Sequence, residues 1–113
     1  KVMFLGIRSD VPALMQALDL FVLPSWFEGL PMVGIEAQIS GLPCYFSDKI
    51  TTEARIREDS EFLPIEKGAK YWADKMADLY NHPANRESNF LETGYQFSLK
   101  EQETVLRNII NEP

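Results

Sequence analysis

The chain has 113 residues, 45% of them hydrophobic, with seven prolines, six glycines and one cysteine. This composition is typical of one globular domain and excludes a disordered or membrane-spanning chain, because no apolar run approaches the ~20 residues that cross a bilayer. The formal net charge of −6 argues against nucleic acid as a partner, since a general nucleic-acid surface needs a basic stripe.

The single cysteine and the lack of a visible targeting segment predict a cytoplasmic protein. Cys44 lies in the apolar run at residues 43–46, which predicts a small buried side chain and not a nucleophile. His82 is predicted to be a surface residue in a turn, without a catalytic role. Because Lys1 stands within a run typical of a strand, we expect the chain to be part of a longer protein. That longer protein is either free in the cytoplasm or bound peripherally at the inner face of the membrane.

Short apolar runs predict four strands, at residues 2–5, 20–23, 45–47 and 62–65. The first three show little alternation, as expected of parallel strands that helices cover on both faces. Helical patterns lie between the runs. Asp10 begins one that ends at Leu18, Pro31 and Gly41 bracket the next, and residues 51–58 predict a short third. This alternation predicts an α/β fold, with a Rossmann-like parallel sheet flanked by helices.

The last part of the chain predicts three further helices. Apolar residues recur at spacings of three and four across residues 69–80, which places Trp72 and Met76 in the core. Two more helices are predicted, over residues 84–95 and from Ser98 onwards. The apolar stripe of the final helix predicts contact with a surface outside this chain or with a second copy of it.

Glu36 has an unusual place in the predicted helix after Pro31. On a helical wheel it falls within an apolar arc that consists of Met32, Val33, Ile35 and Ile39. We therefore expect its carboxylate on the packed face, where an ionised group is costly unless hydrogen-bond donors are in place. Those donors belong either to a ligand, such as the two hydroxyls of a vicinal diol, or to backbone amides of the protein itself.

The turn before this helix predicts an anion site. Residues 29–32 open the helix, and its first N–H groups carry a partial positive charge that suits a phosphate. The strand at residues 20–23 delivers the turn to the carboxyl end of the sheet, where open α/β folds bind ligands. Connections of this kind also occur in α/β domains that bind no phosphate, so the turn alone leaves both interpretations open.

Four short motifs carry a resemblance to a known family: Ser25, residues 28–31 (EGLP), residues 36–37 (EA) and residues 41–43 (GLP). Together they resemble the C-terminal domain motif of retaining glycosyltransferases with the GT-B fold, of the family 4 type (glycosyl transferases group 1). The resemblance implies that residues 1–113 are part of a C-terminal, donor-binding domain. The N-terminal acceptor domain and the first strands of such an enzyme lie outside the chain.

The resemblance implies a site for a nucleotide sugar, either a UDP- or a GDP-sugar. In such enzymes the first glutamate of the motif contacts hydroxyls of the donor sugar, and the second holds the ribose hydroxyls. These roles fall on Glu28, which is the catalytic candidate, and on Glu36. The backbone segment that approaches the sugar and the pyrophosphate consists of Gly29, Leu30, Pro31 and Met32.

Residues outside the motif have weaker claims to the site. The resemblance places Ile7 and Arg8 near the nucleobase, although Arg8 is as well explained as a solvated loop charge. Lys49 and Arg55 are cations within reach of a ligand, but no spacing requires that role.

The resemblance further implies that the longer protein transfers a hexose with retention, without a metal or another cofactor, as in bacterial polysaccharide synthesis. The basic pair that neutralises the donor pyrophosphate in this family lies outside the chain, so we expect the chain alone to be inactive and to bind weakly. An open sheet edge beside residues 2–5 predicts self-association. The alternatives are a non-catalytic nucleotide-sugar-binding or scaffold domain, and a flavodoxin-like regulatory domain.

Overall fold

Strands and helices alternate along residues 1–83, the part of the chain that this computed structural model describes. The helices of this part are α1 (Val11–Ala17), α2 (Met32–Ile39) and α3 (Gly68–Asn81), and the strands are β1 (Phe21–Leu23), β2 (Cys44–Ser47) and β3 (Glu61–Leu63). The sheet has the order β1-β2-β3 with both pairs parallel. The predicted α/β fold, a Rossmann-like parallel sheet with flanking helices, is confirmed. The helices predicted over residues 84–95 and from Ser98 lie outside the described residues.

Two hydrophobic clusters, one on each face of the sheet, hold the helices in place. The first joins α1 and α2 to the sheet through Met15, Ala37, Cys44 and Phe46. The second joins α3 through Tyr45, Leu63 and Trp72. Successive residues of β2 alternate between the two clusters, and the whole strand is buried, as expected of a parallel strand covered on both faces.

The prediction of a strand at residues 2–5 is wrong. This segment forms no strand, and its side chains are exposed, up to 98% at Phe4. A strand exists only where a neighbour completes its backbone hydrogen bonds, and the segment does not pair with β1, the outer strand of the described sheet. The open edge predicted beside residues 2–5 is therefore the free side of β1.

The helix predicted over residues 51–58 is also wrong. The structure has a single 3₁₀ turn, Thr52–Ala54, after which Arg55 takes extended angles of φ −85° and ψ 117°. Arg57 is fully buried, so the segment is a connection that packs against the domain through this side chain.

The other helices agree with their predictions to within a residue or two. Pro31 is the N-cap of α2, one position before its predicted place. Gly41 follows the helix with a φ of 91°, which glycine adopts without steric cost. In α3, Trp72 is buried and donates Nε1–H to Pro64 O at 3.2 Å, whereas Met76 is half-buried beside it.

Candidate functional site

The loop after β1 carries the first candidate residue, Glu28. Parallel pairing of Leu23 with Phe46 of β2 places the start of this loop at the carboxyl edge of the sheet. Within the loop, Ser25 Oγ donates a hydrogen bond to Glu28 Oε1 at 3.1 Å. The bond orients the carboxylate of an otherwise exposed side chain and leaves its second oxygen available to a hydroxyl.

The start of α2 offers backbone donors beside this loop. The N-cap Pro31 has no N–H, and no side chain caps the helix. The first bonded amides are those of Gly34 and Ile35, which donate to Pro31 O at 3.0 and 3.2 Å. The amides of Met32 and Val33 have no acceptor within residues 1–83, and they carry the partial positive charge of the helix N-terminus.

Glu36 does not lie on the packed face of α2, so that prediction is wrong. The buried residues of the helix are Gly34, Ala37 and Gln38. At about 100° per residue, Glu36 lies about 160° from both Gly34 and Gln38. Met32, its neighbour on the wheel, is 43% exposed. The arc that surrounds Glu36 therefore faces the solvent side of the helix.

Glu36 is nevertheless partly removed from water. Its side chain is half-buried, and burial raises the pKa of its carboxyl above the usual value. No hydrogen bond from residues 1–83 offsets this loss of water. Capping by the protein's own amides therefore finds no support in the described part of the chain. A carboxylate that has lost water without gaining a donor is suited to accept hydrogen bonds from a ligand.

Two close contacts decide which face of α2 packs. Gly34 lies so near β2 that a Cβ atom on it would be 2.5 Å from Cε1 of Phe46. One turn later, the fully buried Gln38 hydrogen-bonds backbone groups of the connection between β2 and β3. Sequence reasoning missed both residues, because a wheel that counts apolar side chains gives no weight to a glycine or to a satisfied glutamine. The available signal was the pair of small residues Gly34 and Ala37, three apart.

The segment before α1 holds the two residues predicted near the nucleobase. Ile7 is fully exposed. Arg8 donates to both carboxylate oxygens of Asp10, from Nε at 2.7 Å and from Nη2 at 2.6 Å, and this pairing lowers the pKa of Asp10. The pair fits the surface-charge interpretation of Arg8, and contact with a nucleobase stays a prediction for both residues.

The ends of β2 and β3 bring further polar groups to the same edge of the sheet. Asp48 Oδ1 accepts a hydrogen bond from Ile65 N–H at 3.2 Å and so joins the two loops. Lys49 Nζ lies 3.7 Å from Glu66 Oε1, with both side chains exposed. Lys49 is thus a positive charge at the edge that carries the Glu28 loop. Arg55 instead donates to backbone carbonyls of its own segment.

Other kinds of chemistry have less support in the described part of the chain. Within residues 1–83, no three Asp, Glu, His or Cys side chains are grouped to hold a metal ion. Cys44 is buried as predicted, and burial raises the pKa of its thiol to about 12. No described helix is long and apolar enough to cross a bilayer. Carboxylates and backbone amides at the carboxyl edge therefore form the candidate site.

A family model and several curated proteins resemble this chain. The model described as "Glycosyl transferases group 1" matches residues 1–82. A putative glycosyltransferase, EpsF of Bacillus subtilis (strain 168), is 56% identical over 114 residues, which cover 97% of this chain and 29% of that protein. No solved structure matches the chain significantly.

Two shorter matches are with transferases whose names state a linkage. The UDP-Gal:alpha-D-GlcNAc-diphosphoundecaprenol alpha-1,3-galactosyltransferase of Escherichia coli is 48% identical over 66 residues, covering 58% of this chain and 17% of that protein. The N,N'-diacetylbacillosaminyl-diphospho-undecaprenol alpha-1,3-N-acetylgalactosaminyltransferase of Campylobacter jejuni is 47% identical over 45 residues, covering 40% of this chain and 12% of that protein. The chain thus spans less than a third of the length of each of these relatives.

Proposed function

This chain belongs to the glycosyl transferases of group 1, and we propose that it is the donor-binding part of a longer, retaining glycosyltransferase with the GT-B fold. The observation that carries the proposal is the Glu36 carboxylate, which is partly buried without a hydrogen-bond donor from residues 1–83. It lies on the helix that follows the Glu28 loop at the carboxyl edge. The comparisons do not favour the alternatives of a scaffold or a flavodoxin-like regulatory domain.

The proposed donor is a nucleotide diphosphate sugar. Its ribose is suited to Glu36, because the two vicinal hydroxyls can both donate to one carboxylate. The Glu28 oxygen that Ser25 leaves available accepts a hydroxyl of the hexose. Amides of the turn at residues 29–32, Met32 among them, then approach the sugar and the pyrophosphate.

Charge limits how tightly this part of the protein binds. Contacts at a helix N-terminus contribute about 0.3–1 kcal/mol each at exposed sites, which is roughly a factor of two to five in affinity. Lys49, at this edge, is itself 3.7 Å from the Glu66 carboxylate, while the whole chain carries a net charge of −6. We therefore expect donor binding in the millimolar range, and catalysis only in the longer protein with its N-terminal domain.

Names of the relatives support the proposed stereochemistry. The E. coli relative is named for UDP-Gal and an alpha-1,3 product, and a sugar with an α bond to phosphate that gives an α product has been transferred with retention. By analogy, the bond between C1 and the pyrophosphate oxygen breaks while an acceptor oxygen bonds to C1 on the same face. The acceptor proton passes to the departing phosphate. Glu28 and Glu36 bind and orient the donor, unlike the nucleophilic carboxylate of retaining glycosidases.

The place of the longer protein in the cell is part of the same proposal. Relatives named for undecaprenol-linked acceptors and for Vi polysaccharide biosynthesis support a role in bacterial polysaccharide synthesis. An acceptor of that type would bring the protein to the inner face of the membrane as a peripheral protein.

A ligand-observed NMR titration with UDP-glucose, GDP-mannose and UDP tests the role of Glu36. We expect one nucleotide to bind the wild-type chain weakly, and Glu36→Gln to weaken it about tenfold or more. Hydrogen bonds to a charged group contribute about 1.5–3 kcal/mol, and 1.4 kcal/mol is a factor of about ten.

The matched control is Glu61→Gln, which removes an exposed carboxylate at the start of β3, at the opposite edge of the sheet. It should leave the affinity unchanged. The proposal fails if Glu36→Gln binds as well as wild type. Micromolar binding by the wild-type chain would contradict the charge argument.

A further inference from the structure

Gln38 uses every hydrogen-bonding position of its side-chain amide. The side chain is fully buried. Its Nε2 donates to Gly34 O at 3.1 Å and to Ala54 O at 2.7 Å, and its Oε1 accepts from the N–H groups of Ile56 at 2.8 Å and Arg57 at 3.0 Å. A side-chain amide has two donor hydrogens and two acceptor lone pairs. All four are therefore satisfied by backbone groups.

The segment that Gln38 contacts is itself fixed to the sheet. The buried Arg57 guanidinium hydrogen-bonds the Asp59 carboxylate at 2.9 and 2.8 Å. Ser60 N–H donates to Arg57 O at 3.2 Å, and Ser60 Oγ accepts from Cys44 N–H of β2 at 2.9 Å. Hydrogen bonds thus run from β2 through residues 54–60 to α2, and Gln38 is the side chain that reaches from the helix to this segment.

These contacts determine the rotation of α2 about its own axis. Gln38 and Gly34 lie one turn apart on the buried face, and Gly34 is pressed against the ring of Phe46. Two fixed points on one face also fix the direction of the opposite face, where Glu36 lies. The N-terminal end of α2 has no side-chain cap that would hold it independently.

We propose that Gln38 is a positioning residue for the donor site. By fixing the rotation of α2, it keeps Glu36 at its half-buried position and directs the first-turn amides towards the Glu28 loop. Gln38 does not touch the donor, because it is buried on the other side of the helix. The part that concerns the ligand rests on the proposed function, whereas the effect on Glu36 does not.

The test compares Gln38→Met, which keeps the volume and removes all four hydrogen bonds, with wild type. Folding is checked by circular dichroism, and the Glu36 carboxyl is titrated by ¹³C NMR without ligand. We expect the pKa of Glu36 to fall towards about 4.3, because a loosened helix exposes it to water. Affinity for UDP-glucose or GDP-mannose should fall about tenfold or more, since the donor loses its hydrogen bonds to the charged Glu36 carboxylate when the helix shifts.

Tyr45→Phe is the matched control for a general loss of stability. It removes the hydrogen bond from the Tyr45 hydroxyl to Lys75 O at 3.3 Å, which joins β2 to α3 on the face of the sheet opposite α2. Its urea midpoint should fall, while the Glu36 titration and nucleotide-sugar binding stay as in wild type. An equal shift of the Glu36 pKa in Tyr45→Phe and Gln38→Met would overturn the proposal.

The proposal is also overturned if Gln38→Met folds and its Glu36 has the same pKa as in wild type. If Gln38→Met does not fold, Gln38→Asn is tested instead. Its shorter amide reaches fewer of the four backbone groups, so the pKa of Glu36 should again fall. No shift in that variant contradicts the positioning role. Absence of nucleotide binding by the wild-type chain counts against the proposed function alone, since the Glu36 titration is measured without ligand.

Discussion

Glu28 and Glu36 are paired by their spacing in the motif but differ in their surroundings. Glu28 is exposed and accepts a hydrogen bond from Ser25. Glu36 is half-buried, and burial raises its pKa without a compensating donor from residues 1–83. The charged form of Glu36 slightly opposes folding, because partial burial removes some of its water without supplying a donor. The cost is consistent with a carboxylate kept for binding.

Opposite effects on stability and on binding are therefore predicted for Glu36→Gln. The folded state holds the Glu36 proton more tightly than the unfolded chain does. Protonated Glu36 contributes stability below the unfolded-state pKa of about 4.3, and this contribution is lost as the pH rises through the raised pKa of the folded state. Glu36→Gln should thus raise Tm slightly at pH 7, and the gain should vanish near pH 3. The effect is small because water still reaches the side chain.

Thermal unfolding at pH 7 and pH 3 measures this difference, with Glu61→Gln as the exposed control. A fall in Tm at pH 7 for Glu36→Gln would mean that the carboxylate makes a stabilising contact in the folded protein.

At the scale of secondary structure, α2 is the element whose orientation the sequence predicted incorrectly. Its long apolar side chains are not its packed face: Met32 is 43% and Val33 is 39% exposed. The helix instead approaches the sheet through Gly34, Ala37 and Gln38. Small residues allow the backbone to come close to Phe46, and this close approach outweighs the burial of larger side chains farther round the helix.

Gly34→Ala measures how close that approach is. In a helix interior, alanine normally stabilises by up to ~1 kcal/mol relative to glycine. Here its Cβ would lie 2.5 Å from Cε1 and 2.9 Å from Cζ of Phe46, and overpacking costs about 1–3 kcal/mol. The clash should dominate, so Gly34→Ala should lower the urea midpoint.

The added Phe46→Leu substitution should recover part of the loss, because a smaller side chain makes room for the methyl group. Gly29→Ala is the control, since a Cβ there would meet nothing within 4 Å. A Gly34→Ala protein as stable as wild type would show that α2 is free to move away from the sheet.

At the scale of the whole molecule, both outer strands of the sheet, β1 and β3, have an unpaired side within residues 1–83. Within residues 1–83, β1 pairs only with β2. Two apolar hollows of about 570 and 340 Å³ lie between α3 and residues in or beside β1, and Met76 lines both. The helices α1 and α2 pack on the same face, with Met15 and Ala37 in one cluster. Because parallel crossovers are right-handed, a strand that precedes α1 belongs on this free side of β1.

Self-association through the free side of β1 is the prediction for the 113-residue chain, since unpaired edges and apolar hollows favour pairing with another chain. Light scattering over a wide concentration range should show oligomers. Tyr80, 87% exposed, lines the larger hollow, so Tyr80→Lys should shift the chain towards monomer.

Phe27→Lys is the control, because Phe27 is 89% exposed but lies on the loop after β1. It should leave the oligomers intact. A monomeric wild-type chain at every concentration would contradict the prediction.

Local sequence was sufficient for the features that depend on near neighbours. It predicted the parallel α/β order, the amphipathic α3, the helix stop at Gly41 and the buried Cys44, because periodicity and backbone preferences act within a few residues. It also identified the motif from Glu28 to Glu36 and, by resemblance, the family.

Tertiary structure alone decided the features that need a partner distant in sequence. Residues 2–5 have the composition of a strand but do not pair with the free side of β1 in the structure. The packed face of α2 was decided by the ring of Phe46 and by the backbone groups that Gln38 reaches 16 to 19 positions later. The side of α2 on which Glu36 lies follows from that packing, because the rotation of a helix depends on what it packs against and not on its own sequence alone.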